Sequence, residues 1–301
     1  MTGYALGNTE VEDTFAEAFP MRFARVVITA ATGAWALEAA RSMTGFATSV
    51  IGCKCEAAIE REVEEAQTPD GRPGIAVLLF AMDREGVGKR VIERVGQSVM
   101  TCATTACFDG LPGAEGTVPL GASLRYFGDG FQASKVIAGE RFWRIPVMEG
   151  EFLVSESVGV GRGVGGGNIV IGAGDEHAAL AAAQAAAEAM RGEGIALPFP
   201  GGIVRSGSKV GSIRSKSMPA STNHQMAPTL RVQVGDTLVP DGVGAMFEIV
   251  IDGVSEDAVR GAMRRGLHAA AAAGATHVTA ANFGGKLGQF HFPLSDLRDP
   301  P

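Results

Sequence analysis

Strand-like and helix-like segments alternate along this chain, and that alternation limits the possible folds more than any other feature of the sequence. Residues 22–30 (RFARVVITA) and 74–82 (GIAVLLFAM) are short apolar runs rich in β-branched residues, which suit buried strands. Residues 33–43 have helical spacing. So do residues 85–100, where Val87, Val91, Ile92, Val95 and Val99 recur on one face. Strands are also expected at 45–51, 124–127, 133–137 and 142–145, with turns at Gly128-Asp129-Gly130 and Gly139-Glu140. The pattern then repeats. Residues 168–171 (NIVI) read as a strand, 175–191 as an alanine-rich helix opened by acids, and 195–197 and 246–251 as strands. Residues 255–273 read as a helix capped by Ser255, and 277–280 as a strand. Strand–helix–strand order in both halves predicts an α/β (α+β) protein with two lobes of ferredoxin-like split βαβ topology, residues 1–148 and 149–301.

Charge narrows the partners. The net charge is −7, which argues against nucleic acid or an anionic membrane as the main partner. No apolar run reaches the roughly 18 residues of a membrane span, and the first residues have no basic segment leading into an apolar one. A cytoplasmic location is expected. Cys53, Cys55, Cys102 and Cys107 stand in C-x-C and C-x4-C spacings, which fit neither zinc-ribbon nor redox patterns, so buried thiols are expected rather than a metal site.

Two glycine-rich stretches invite a phosphate-binding reading and fail it. In PFPGGIVRSGSKVGS (198–212), Gly202 and Gly207 have P-loop spacing, but Ser208 and Lys209 come in the wrong order and no strong helix follows. In residues 161–166 (GRGVGG) the strand comes after the glycines, the reverse of a dinucleotide fingerprint, so a turn or hinge between lobes is expected there. A nucleotide-dependent enzyme is the weakest of the functional readings.

The 198–212 stretch nevertheless lies in an unusual span. Residues 194–235 contain no Asp or Glu but carry Arg205, Lys209, Arg214, Lys216 and Arg231. Such a span either attracts an anionic ligand or packs against an acidic neighbouring subunit, and composition leaves both open. In MFEIVID, alternation puts Glu248 on the side of Met246 and Val250, opposite Phe247, Ile249 and Ile251. A carboxyl between apolar neighbours suits proton transfer near neutrality; the plainer alternative is a glutamate on a solvated strand face. His177, His224, His268, His277 and His291 form no close ligand pair, and there is no G-x-S-x-G elbow.

Seven strings carry a family resemblance: EVEDTFAEAFPMRF (10–23), TPDGRPG (68–74), FGDGF (127–131), RIPVMEGEF (144–152), the 198–212 stretch, EIVIDG (248–253) and NFGGKLG (282–288). Together, almost end to end, they resemble the formylmethanofuran:tetrahydromethanopterin formyltransferases. The resemblance implies formyl transfer between the amine of methanofuran and N5 of a tetrahydropterin. Both carriers would be substrates, with no metal or prosthetic group. It also implies homo-oligomers, or membership of a larger formyltransferase/hydrolase complex that serves formaldehyde oxidation in methylotrophs. The mild acidity and the tail FPLSDLRDPP point to a mesophilic bacterial member. The resemblance makes Glu248 the proton carrier. It puts Ser206, Ser208 and Lys209 in the substrate cleft, with Lys209 meeting a carboxylate. Asn168, Thr222 and Asn223 would orient amides. Asp129 and Lys286 are further substrate-binding candidates, although turn formation explains both equally well. The competing reading is a non-catalytic assembly subunit whose basic span docks a partner.

Overall fold

A computed structural model describes residues 3–137, 139–207 and 209–301. The chain forms two compact units, each discontinuous in sequence. The first takes the stretch up to Pro20, Val164–Arg191 and Leu197–Pro301; the second takes Met21–Gly163 and Gly192–Ala196. An edge strand, Gly3–Leu6, opens the described chain and pairs antiparallel with β1 (Thr9–Glu12); the long β2 (Phe15–Thr29) follows and gives residues to both units.

In the second unit, β2 is followed by α1 (Gly33–Thr44), β3 (Glu56–Val63), β4 (Gly74–Ala81), α2 (Arg84–Arg94) and β5 (Ala106–Asp109). The sheet order is β5–β2–β4–β3, every neighbour antiparallel, which is the split βαβ arrangement. All eight residues of β4 are buried, as its unbroken apolar run requires. Thr32 caps α1 by accepting from the Trp35 N–H, and Asp83 caps α2 through Gly86. Ala36, Ala39, Ala40 and Met43 of α1 pack on this sheet with Val87 and Val91 of α2.

The first unit continues with β6 (Ser157–Ala173), which belongs to it from Val164 on, and with α3 (Glu176–Met190), β7 (Ala245–Gly253), α4 (Glu256–Ala272), β8 (His277–Thr279) and β9 (Phe290–Pro293). Here the order is β1–β8–β6–β7, antiparallel except for β1 with β8. Asp175 and Ser255 cap α3 and α4 through Ala178 and Ala258. Directly opposed residues share a sheet face. Ile169 and Ile171 of β6, opposite Ile249 and Phe247 of β7, therefore lie on one face, as do Gly167 and Ile251. A Cβ on Gly167 would stand 2.6 Å from Val259 Cγ1, so this is the face that α4 covers.

Three sequence expectations change. Residues 45–51 are not a strand. Gly45 closes α1 by donating to the Arg41 carbonyl, and the Arg94 guanidinium ties down the carbonyls of Met43, Gly45 and Phe46. A short helix, Val50–Cys53, follows, and the strand itself is β3. Residues 124–127 are helical, because Gly121–Leu124 and Arg125–Gly128 form consecutive turns in which the Arg125 guanidinium lies 4.6 Å from the Trp143 ring centroid. Residues 161–166 belong to β6 rather than to a turn. Gly161 is small because a Cβ there would lie 2.6 Å from Phe23, and Gly166, at φ +85°, sits where the register with β7 shifts. The meander strands Ala133–Ile137 and Glu140–Val147 pair antiparallel, as expected.

Candidate active site

The sheet face turned away from α4 is polar. Glu248 of β7 opposes Val170 of β6, which opposes Thr279 of β8, so the three share a face with Asn168, His277 and Asp252. All the polar members are buried; Glu248 is 3% exposed.

Glu248 is reached from the side by the 198–212 stretch. Val204 makes a two-way bridge with it: the Val204 N–H donates to the Glu248 carbonyl at 2.7 Å, and the Glu248 N–H donates back at 3.0 Å. Beyond that anchor the chain runs out and returns as a narrow antiparallel finger. Val210 bridges Ala220, the Ser221 N–H donates to the Lys209 carbonyl, and the Asn223 N–H donates to the Ser206 carbonyl at 3.1 Å. Gly207 makes this close approach possible. Its φ is +70°, and a Cβ there would lie 2.5 Å from Asn223 Cβ.

A cavity of about 150 Å³ opens between the finger and β7. Its polar lining comes from Glu248, Arg205, Ser206, Thr222 and Asn223, and its apolar walls include Met226 and Phe247. The structure therefore brings together four residues singled out in the sequence, Glu248, Ser206, Thr222 and Asn223. Lys209 belongs to the same finger but does not line the cavity; its Nζ is 3.0 Å from Nδ1 of His224. Ser208 lies outside the described residues.

The other candidates sit elsewhere. Asn168 is on the polar face, but both ends of its amide bind the backbone of Ala281: Nδ2 donates to the carbonyl at 2.9 Å and Oδ1 accepts from the N–H at 2.6 Å. Asp129 is an exposed left-handed turn residue in the second unit, at φ +50°. Lys286 is exposed on the 282–288 loop of the first unit. In the basic span, Arg231 bonds the carbonyls of Pro240 and Val243, while Arg214 and Lys216 are exposed at the finger tip.

Two carboxylates, Glu17 buried and Glu12 partly buried, carry no local signal in the sequence. Glu17 gathers the 282–288 loop: its Oε2 accepts from the N–H groups of Phe283 and Gly285 at 2.7 and 2.9 Å, and its Oε1 from Leu287 and Gly288 at 2.6 and 2.5 Å. Burial pushes this carboxyl up, but the four donors more than offset it and hold the group below the ordinary carboxylate range. Glu12 accepts from Thr279 Oγ1 at 2.5 Å and lies 3.0 Å from His277 Nε2. The His277 hydrogen bond, helped by Thr279, lowers its pKa against the effect of burial. The available signal was positional: strings 10–23 and 282–288 are far apart in sequence, and Glu17 joins them. Cys53, Cys55, Cys102 and Cys107 are free thiols, and among the described residues no cluster of three or more His, Cys, Asp or Glu is placed to hold a metal. No helix among them is long and apolar enough to cross a membrane.

A buried carboxylate beside a cavity lined by hydroxyls, an amide and a guanidinium, on a two-unit α/β scaffold, makes a site suited to a polar ligand. The family model for formylmethanofuran-tetrahydromethanopterin formyltransferase matches residues 5–147, and the model for the proximal lobe of that family matches residues 150–297. The formyltransferase of Methylococcus capsulatus is 52% identical, covering 97% of this chain and 99% of that protein. The solved formyltransferase of Methanosarcina barkeri aligns with a TM-score of 0.92 at 44% identity, covering 97% of this chain and 100% of that one. A chain from the formyltransferase/hydrolase complex of Methylorubrum extorquens, solved with methylofuran, aligns with a TM-score of 0.95 at 45% identity over 100% of both. The chain belongs to the formylmethanofuran–tetrahydromethanopterin formyltransferase family.

Proposed function

We propose that this chain transfers a formyl group reversibly between the amine of methanofuran and N5 of a tetrahydromethanopterin-type pterin, with Glu248 carrying the proton. The observation that carries the reading is the placement of Glu248: buried, on the helix-free face, and lining the cavity with Ser206, Thr222 and Asn223. Formyl transfer between two nitrogens is acyl transfer. The incoming amine attacks the formamide carbon and loses its proton. A tetrahedral oxyanion forms, and the departing nitrogen must be protonated as its C–N bond breaks. One carboxylate can take the first proton and return it to the leaving amine. The Ser206 and Thr222 hydroxyls and the Asn223 amide are donors for the oxyanion. Holding both carriers together supplies the rest, since positioning contributes up to about 7–11 kcal/mol and removes the need for a covalent intermediate. Lys209, on the same finger, anchors a substrate carboxylate.

Homology to relatives that act as formyltransferases, one within a formyltransferase/hydrolase complex, supports the same assignment. Assembly with like or unlike subunits in a cytoplasmic formaldehyde-oxidising system is the setting this implies. The test is Glu248→Gln in the full chain, assayed with an N-formylated furfurylamine donor and a tetrahydropterin acceptor. The variant should fold normally and lose about 10²–10⁴ in turnover, the range of a lost general acid–base group. Full activity would remove Glu248 from the chemistry. A wild-type chain with no transferase activity, active only as a binding subunit, would favour the assembly reading.

A further inference from the structure

We propose that His224 is a positioning residue: it fixes the Lys209 ammonium on the finger that walls the cavity and so sets the affinity for carriers with a carboxylate tail. The inference rests on the reading of Lys209 as the anchor for that carboxylate. Lys209 Nζ lies 3.0 Å from His224 Nδ1. An ammonium has donors only, so Nδ1 is the acceptor and the ring proton sits on Nε2. Nε2 faces Oδ2 of Asp236 at 3.9 Å, and the same carboxylate oxygen accepts from Gln225 Nε2 at 2.8 Å. The backbone holds this row in place, with the Leu238 N–H donating to the Gln225 carbonyl at 2.8 Å and the His224 N–H to the Thr222 carbonyl at 3.0 Å. His224 directly follows cavity-lining Asn223, and Lys209 lies two residues beyond cavity-lining Gly207.

Two features separate this from an ordinary surface contact. First, residues 194–235 contain no acid, and Asp236 follows immediately. The one carboxylate beside His224 therefore lies on the ring edge away from Lys209, at 3.9 Å, and leaves the ammonium free to bind substrate. Second, the Asp236 side chain is 62% exposed, so the His–Asp contact adds little to stability. Its consequence is geometric. A lysine side chain has much rotamer freedom to lose, and pinning it before the ligand arrives spares that cost at binding.

The experiment uses the purified full chain with two donors, N-formylfurfurylamine and the same compound extended by a carboxylate-bearing tail. His224→Ala should raise KM for the tailed donor about tenfold, with kcat unchanged and the untailed donor affected less than twofold. His224→Asn, whose amide oxygen replaces the Nδ1 acceptor, should restore the wild-type KM. His224→Gln keeps bulk toward Asp236 without that acceptor; it should match the alanine variant and replaces it if alanine does not fold. Adding His224→Ala to Lys209→Ala should change nothing further. A loss of kcat shared by both donors, or additive effects of the two substitutions, overturns the proposal. Lys209→Ala raising the tailed KM while His224→Ala is silent overturns the proposal alone; Lys209→Ala with an unchanged tailed KM overturns the anchor reading and the proposal with it.

Discussion

Glu17 offers a stringent test of how the first unit is built. Its carboxylate accepts four backbone N–H groups from one loop, two on each oxygen, at 2.5–2.9 Å. Glutamine has nearly the same shape but one acceptor oxygen. In Glu17→Gln two of the four donors face an amide NH₂, donor against donor, and the other two keep a neutral partner in place of a charged one. Hydrogen bonds to charged groups contribute about 1.5–3 kcal/mol each, and a buried donor left unmade costs about 1–3 kcal/mol. Losing two such bonds should therefore cost about 3–6 kcal/mol, a large share of the 5–15 kcal/mol that stabilises a typical protein. At about 2–4 °C per kcal/mol for domains of 150–250 residues, the melting temperature should fall by about 6–24 °C. Calorimetry measures the shift, and hydrogen exchange locates it: the amides of Phe283, Gly285, Leu287 and Gly288 should lose protection together. The pH dependence carries a sign. Because the folded carboxyl is held below its ordinary value of 4.5, its contribution is complete above that value and is lost as pH falls through the lower folded value. Amide protection in the wild-type loop should thus persist from neutrality to about pH 4.5 and fade only below it. A Glu17→Gln protein melting within about 2 °C of wild type, with those four amides still protected, would refute the reasoning.

Gly207→Ala should cost about 1–2 kcal/mol of stability for its left-handed backbone, and its Cβ would press on Asn223; steady-state kinetics should show kcat/KM reduced about tenfold or more, beyond what the small thermal shift explains. Glu12→Gln should destabilise by about 1–2 kcal/mol at neutral pH, a figure already lowered for partial solvent access to the pair. Since the folded Glu12 carboxyl is lowered, urea titrations of variant and wild type should converge as pH falls below its ordinary 4.5.

Much of this architecture was legible in sequence because periodicity and burial agree. The run at 74–82 read as an apolar strand, and residues 74–81 form one that is buried throughout; Ser255 followed by two acids announced α4. Periodicity fails where tertiary contacts decide. Residues 45–51 have strand composition, but Arg94, some fifty residues on, converts them into a helix terminus. The glycines at 161–166 look like a turn, and only the Phe23 ring pressed against Gly161 explains why a strand there needs no side chain. For the site, alternation gave the side of β7 on which Glu248 lies, and acid depletion flagged the stretch that covers it. The partners of Glu12, Glu17 and His224 could not be read, because each is set by a loop–loop or loop–strand contact with no local signature.

The two faces of the first unit's sheet explain why the chemistry lies where it does. The covering helices meet Ile169, Ile171, Ile249 and Ile251 with side chains alone, because their own N–H and carbonyl groups are spent within the helix. A loop has backbone donors and hydroxyls to spare, so the loop-covered face is the one on which Glu248, Thr279, His277 and Asn168 can be buried with partners. The register between β6 and β7 is then itself a determinant of function. A slip by one residue would turn Glu248 toward the helices and offer Ile249 to the cavity. Two glycines oppose that slip: Gly167 and Gly253 both lie where a Cβ would meet Val259 of α4, at 2.6 and 2.7 Å. A side chain at either point would force Val259 to shift, so the helix side of the sheet favours the register that turns Glu248 toward the finger.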